Sequence, residues 1–184
     1  MKIICLTICS FLALNAISQK LKLDKIGPEE DISLKIPEEF SNMTDQDRMK
    51  KSYSSKVPLA MYSNTYQDVT LSVNYNIMQW TEKDTDLVYG FYKASINNLF
   101  DEIEFIQDEV KEINGKKFIV FEVVGSVADD NSFAAKGSPK NYHYIQYTSW
   151  NNQVLIFNFG CKARLMNQWQ ATAKEIMESI KIKQ

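Results

Sequence analysis

Two stretches, residues 118–124 and 154–159, are apolar at almost every position instead of every second one. Successive side chains of a strand point to opposite faces, so Phe118, Val120 and Val124 project to one side and Ile119, Phe121 and Val123 to the other. Val154, Leu155, Ile156 and Phe157 repeat the pattern. Such strands belong in a sheet covered on both faces, which excludes a sheet with one side in water. Asn114-Gly115 precedes the first stretch and Asn151-Asn152 the second, and both pairs suit the positive φ angles of a two-residue hairpin turn. Each apolar strand should therefore return antiparallel to its predecessor.

The rest of the pattern supplies further strands and the cover. Ile32, Leu34 and Ile36 alternate with polar residues before Pro37, a short strand closed by proline. A longer alternation runs over 69–79, with Val69, Leu71, Val73, Tyr75 and Ile77 on a dry face and Thr70, Ser72, Asn74 and Asn76 on a wet one. Residues 58–61, 103–113 and 142–149 are expected to be strands as well. Thr44 with Asp47 three residues on predicts an N-cap for a short helix to about Tyr53. Val88, Phe91, Tyr92, Ile96 and Leu99 recur at spacings of three and four and predict a helix over 84–100 with one buried stripe. Leu165, Trp169, Ala173, Ile176 and Ile180 predict another over 165–180. The expected fold is α+β: an antiparallel sheet of about six or seven strands with helices on both faces, one domain over residues 31–184.

Residues 1–18 read as a secretory signal peptide: Lys2, an apolar run over 3–14, and the small residues Ala16 and Ser18 at the positions a signal peptidase requires. Cleavage is expected before Gln19. The run is also shorter than the roughly 20 residues a membrane-spanning helix needs. Residues 19–30, charged and without a sustained period, are expected to be a short tether. Losing Lys2 from 21 basic side chains leaves 20 against 23 acidic ones, which gives no field to gather nucleic acid. Cleavage also removes Cys5 and Cys9, so Cys161 remains without a disulfide partner in the mature chain.

Behind an exported leader and a short tether follow Ile32-Ser33-Leu34-Lys35-Ile36-Pro37-Glu38-Glu39-Phe40, in which a strand ends in proline before a short helix, then a hairpin region, a helix over 87–100, the Asn114-Gly115 hairpin, a long central hairpin and a last helix ending in Glu178-Ser179-Ile180. This order resembles the PsbP-like fold, shared with DcrB-like bacterial envelope proteins, over about residues 31–183. The resemblance implies an α-β-α sandwich and an accessory, binding or assembly role. It implies no catalytic or cofactor-binding residues.

Chemistry is constrained mostly by what is missing. One histidine, His143, and one cysteine, Cys161, in the mature chain cannot build a Cys/His zinc site or a multi-histidine iron or copper site. The oxygen-rich Asp129-Asp130-Asn131-Ser132 is followed by Phe133 and Ala134 where a calcium loop of the EF-hand type needs an oxygen and glycine, so a solvated turn is expected. No Gly-x-Ser-x-Gly, Gly-x-x-x-x-Gly-Lys or Gly-x-Gly-x-x-Gly occurs. No metal, catalytic residue or cofactor is expected. The sharpest enzymatic alternative is a Cys161 nucleophile with His143 as base. Hairpin register decides it: a two-residue turn at Asn151-Asn152 sets Cys161 opposite Tyr142 and His143 opposite Gly160, on different faces, whereas a three-residue turn would pair His143 with Cys161. The two-residue form is the commoner, and Asn tolerates it.

Two features point to binding. Between Glu82 and Glu112 nine acidic residues face three basic ones, and between Lys136 and Gln184 seven basic face two acidic, so the molecule is expected to be dipolar. Trp80 at a strand end, Trp150 beside a hairpin turn and Tyr66 in a loop are large rings at places suited to anchoring a partner. The function expected is a non-enzymatic exported envelope protein, periplasmic or secreted, that binds another envelope protein or a surface. A small-molecule or lipid carrier is the first alternative and a cysteine hydrolase using Cys161 and His143 the second. A binder should show a flat exposed apolar patch, a carrier one closed pocket of about a few hundred cubic ångströms, and an enzyme perturbed titratable groups in a cleft.

Overall fold

The structure, a computed structural model, describes residues 21–51, 57–127 and 139–183. Strands β1 (Leu23–Glu29), β2 (Ile32–Pro37) and β3 (Ser41–Asn42) lead to helix α1 (Asp45–Lys51), then β4 (Ala60–Ser63) and β5 (Val69–Asn76). Helix α2 (Thr85–Leu99) is followed by β6 (Glu102–Ile113), β7 (Lys116–Ser126), β8 (Asn141–Trp150) and β9 (Gln153–Lys162). Helix α3 (Met166–Glu178) and the two-residue β10 (Lys181–Ile182) complete the chain. Seven strands form the main sheet in the order β3-β4-β5-β9-β8-β7-β6, every neighbouring pair antiparallel.

The two doubly apolar strands are interior, β9 at the centre and β7 inside the edge strand β6, as their composition requires. On one face Phe118 and Val120 of β7 join Leu155, Phe157 and Phe159 of β9 against Ala173, Ile176 and Met177 of α3. On the other, Ile119, Phe121 and Val123 of β7 and Val154 of β9 meet Val88, Tyr92 and Ile96 of α2. Burial of a side chain of this size contributes about 1.5–3 kcal/mol, so these two layers hold the sandwich together. Both hairpin turns are of the two-residue kind, with φ of 50° at Asn114, 80° at Gly115, 49° at Asn151 and 57° at Asn152. Asn114 also fastens the end of α3 to the β6–β7 turn, since its Nδ2 donates to the carbonyls of Glu178 and Ile180 at 3.1 and 2.7 Å.

Five expectations need correction. The stretch expected as a tether is largely strand β1, paired with β2. Its apolar positions Leu23 and Ile26 are three apart within a regularly paired stretch, and the register shifts between Ile26 and Glu29, so the strand shows no alternation to read. Strand β2 belongs to a separate three-stranded sheet, β1-β2-β10, which lays Ile32, Leu34 and Ile36 beside α3 on the same face of the main sheet. Expected strand 58–61 is shifted to Ala60–Ser63, and expected strand 69–79 stops at Asn76. In α2 only Thr85, Val88, Tyr92 and Ile96 are buried, whereas Phe91 and Leu99 are 50% and 64% exposed. The Thr44 cap stands as read: its Oγ1 accepts from Asp47 N at 3.2 Å and donates to Asp47 Oδ2 at 2.7 Å. No helix among the described residues is long and apolar enough to cross a membrane.

Candidate functional site

The β8–β9 hairpin sets the geometry of the chemical candidates. With Asn151 and Asn152 alone in the turn, Tyr142 pairs with Cys161 and His143 with Gly160. The side chains of Cys161 and His143 therefore leave the sheet on opposite faces, and no nucleophile–base contact forms. Cys161 is 6% exposed in the α3-side core. Burial, with the nearby Asp68 carboxylate adding to it, pushes its thiol up to about 11, the wrong direction for a nucleophile at neutral pH. His143 lies on the α2 side with its Nδ1 3.2 Å from Asn158 Oδ1 and its ring centroid 5.7 Å from that of Phe100. Burial lowers its pKa below the ordinary histidine range, and the bond to Asn158 only partly opposes that. Since Asn158 Oδ1 can only accept, Nδ1 is the ring nitrogen that donates to it.

A side chain at Gly160 would bring its Cβ to 3.3 Å from His143 Nδ1. Glycine there lets the imidazole lie across the neighbouring strand and lowers the floor of a cleft of about 510 Å³ at this end of the sheet. Thr70, Asn158 and His143 form the rest of the floor, and Lys50, Lys51, Lys162 and Arg164 stand around it. α2 covers the β6–β9 part of this face, and the floor lies beyond its end, where the wet positions of β5 turn outward. Periodicity shows Thr70 as polar but cannot show that α1 and the end of β9 bring cations to it.

The aromatic candidates separate. Trp80 is 2% exposed and belongs to the α2-side core, so its reading as an anchor on the surface is corrected. Ending β5 at Asn76 leaves the chain free to turn this ring inward over Val154 and Val88. Trp150 is half-buried, packs against the α3-side core, and donates from Nε1 to Asp31 Oδ2 in the turn between β1 and β2. Neither tryptophan therefore presents a free ring to a partner. Both line a notch of about 330 Å³ beside Asn151 and Asn152. Tyr66, at 86% exposed, is the one of the three that stands in solvent.

Apolar surface instead lies on one flank of α2, where Leu87 and Phe91, one turn apart, are 77% and 50% exposed. Sequence periodicity assigns Phe91 and Leu99 to the core stripe; the docking of the helix leaves Phe91 at the stripe's outer margin, and Leu99, although on the same side as Val88 and Tyr92, is 64% exposed because it is the last residue of α2. Charge separates in part: five of the acidic residues lie on β6, an edge strand, and the cleft gathers lysines and an arginine over β5, β8 and β9, although Glu102 at the start of β6 pairs with Lys140 beside β8. Ion pairs Lys93–Asp108 and Lys111–Glu178 neutralise part of the acidic edge. Among the described residues no three His, Cys, Asp or Glu side chains are grouped as a metal site. Asp129 to Asn131, the oxygen-rich loop of the sequence, lies outside the described residues, as do the leader residues 1–18.

Neither a family model nor a curated protein matches the chain. Solved structures do. Cyanobacterial PsbP (CyanoP) from Synechocystis sp. PCC 6803 superposes with a TM-score of 0.58 at 13% identity, covering 97% of this chain and 99% of its own. The Ran-binding protein Mog1p of Saccharomyces cerevisiae gives 0.56 at 10% identity, covering 89% and 96%. LpqN, involved in cell envelope biogenesis of Mycobacterium tuberculosis, gives 0.57 at 13%, covering 89% and 91%. At these identities the likeness is one of fold, and it bears out the PsbP-like expectation: the chain has the α+β sandwich fold shared by PsbP, Mog1 and LpqN.

Proposed function

We propose that the chain is an exported, non-enzymatic accessory protein of a cell envelope that acts by binding another protein. The observation that carries this reading is the exposed apolar pair Leu87 and Phe91 on the outer flank of α2, a helix whose buried stripe, Val88, Tyr92 and Ile96, is taken up by the sheet. Apolar side chains in a row on a helix are the usual anchor of a helix-mediated interface. Separation of Cys161 from His143, together with a thiol held up by burial, argues against the hydrolase. The cleft and the notch are open to solvent, which does not favour a carrier that encloses an apolar ligand. Export rests on the leader pattern of residues 1–18. The reading is in keeping with two fold relatives, one Ran-binding and one involved in envelope biogenesis.

The test is affinity capture from the native cell envelope with the wild-type protein and with Leu87→Glu/Phe91→Glu, whose melting temperature should match the wild type because both side chains are exposed. A partner retained by the first and lost by the second is the expected result. Identical sets from both would remove α2 as the docking surface, and capture of nothing by either would end the protein-binding reading. Intact-mass measurement of native material should show a chain beginning at Gln19, and a retained leader would reject export by this route.

A further inference from the structure

The cleft beside His143 combines three things on one spot. Its floor is polar: Thr70 supplies a hydroxyl, Gly160 exposes backbone, and Asn158, whose Oδ1 is engaged by His143, keeps its amide NH₂ free to donate. Cations converge on it from two distant parts of the chain, Lys50 and Lys51 at the end of α1, and Lys162 as the last residue of β9 with Arg164 just past it. Among the described residues Lys50, Lys162 and Arg164 have no carboxylate within ion-pair distance, whereas Lys93, Lys111 and Lys140 do. Only one carboxylate, that of Asp68, is among the lining residues, and it already accepts from Asn64 Nδ2 at 2.8 Å. Four cations around one carboxylate leave a surplus of positive charge that solvent and counterions alone must balance.

We propose that this cleft binds a small phosphorylated ligand, with Lys162 and Arg164 taking the phosphate from the rim and Thr70 and the Asn158 amide receiving it from the floor. Phosphate suits the charge, which exceeds what one carboxylate would offset, and suits Arg164, whose fork of donors matches two phosphate oxygens. A volume of about 510 Å³ accommodates an organic group behind the phosphate. Gly160 is part of the site because any side chain would raise the floor against His143. The same chemistry is offered by a soluble phosphate ester and by a phospholipid headgroup. The site is separate from the α2 flank and does not depend on protein binding there.

Isotopically labelled protein titrated with inorganic phosphate, then with glycerol phosphate, each against sodium chloride at matched ionic strength, tests the assignment through the amide signals of Thr70, Asn158 and Gly160. Saturable shifts at these three with the phosphates and none with chloride are expected, tighter for glycerol phosphate than for phosphate alone. Lys162→Gln/Arg164→Gln should weaken them about tenfold, the loss of one charge-assisted contact or more, with no change in melting temperature. If the pair alters folding, Lys50→Gln on the other rim should weaken binding in the same direction. Vesicles of phosphatidylglycerol separate the two sources: saturation by glycerol phosphate without vesicles marks a soluble ligand, and shifts that need the vesicle and vanish in the variants mark a headgroup. Absence of saturation with every phosphate probe, or unchanged affinity in the rim variants, would overturn the proposal.

Discussion

The indole of Trp150 donates its Nε1 proton to Asp31, a residue 119 positions earlier in the chain. The tip of the central hairpin is thereby joined to the β1–β2 turn, and the small sheet is held to the main one at a point where neither has a strand to share. Lys183 N reaches the carbonyl of the same Asp31 at 2.8 Å, so β10 closes on this turn too. Trp150→Phe should cost about 1 kcal/mol, the net worth of one hydrogen bond, with the ring packing retained. A double-mutant cycle with Asp31→Ala in urea would show coupling between the two positions, and additive losses would mean that the bond contributes nothing.

Trp80→Ala should behave differently. The ring is buried against α2 and β9, and its truncation leaves a large cavity, with an expected loss of about 3–5 kcal/mol in chemical denaturation. A change below about 1 kcal/mol would mean that the ring does not fill the α2-side core.

Cys161 should be inert in the folded protein. With its thiol pushed up to about 11 by burial, alkylation at neutral pH should be slow in the native state and fast in denaturant. Rapid native labelling, or any hydrolytic activity abolished by Cys161→Ser, would restore the cysteine enzyme.

A buried carboxylate sits under α3. Glu122, 6% exposed, accepts from Tyr142 Oη at 2.9 Å and from Gln170 Nε2 at 2.6 Å. Glu122→Gln keeps an acceptor and should cost less than about 1 kcal/mol. Glu122→Leu strands two buried donors and should cost about 2 kcal/mol or more. Adding Tyr142→Phe to the leucine variant should recover part of that loss, as seen in urea melts; no recovery would mean that the pair is not coupled.

His143 gives the protein a signature in acid. Its folded-state pKa lies below the unfolded value near 6.5, so the unfolded chain takes up the proton first. The contribution to stability is present above about pH 6.5 and is lost as pH falls through the lower folded value. His143→Gln should flatten this segment of the curve of melting temperature against pH, and an unchanged slope would assign it to other groups.

Local sequence determined the parts of this molecule whose physics is local. Apolar pairs at consecutive positions of β7 and β9 demanded two covering layers, the Asn-Gly and Asn-Asn dipeptides fixed two-residue turns, and the turn length then fixed which face Cys161 and His143 take. Those relations follow from strand period and turn geometry alone. Tertiary structure decided everything that depends on how elements dock. The angle of α2 on the sheet put Tyr92 in the core and Phe91, its neighbour, in solvent; both are apolar, and periodicity gives them one stripe. Trp80 turned inward because β5 ended early, and β1 became a strand because β2 offered it an edge, a favourable pairing that a sequence with broken alternation does not announce. The cleft is the extreme case: its floor comes from β5, β8 and β9 and its cations from α1 and the end of β9, segments about a hundred residues apart that only the antiparallel pairing of β5 with β9 and the return of α1 bring to one place.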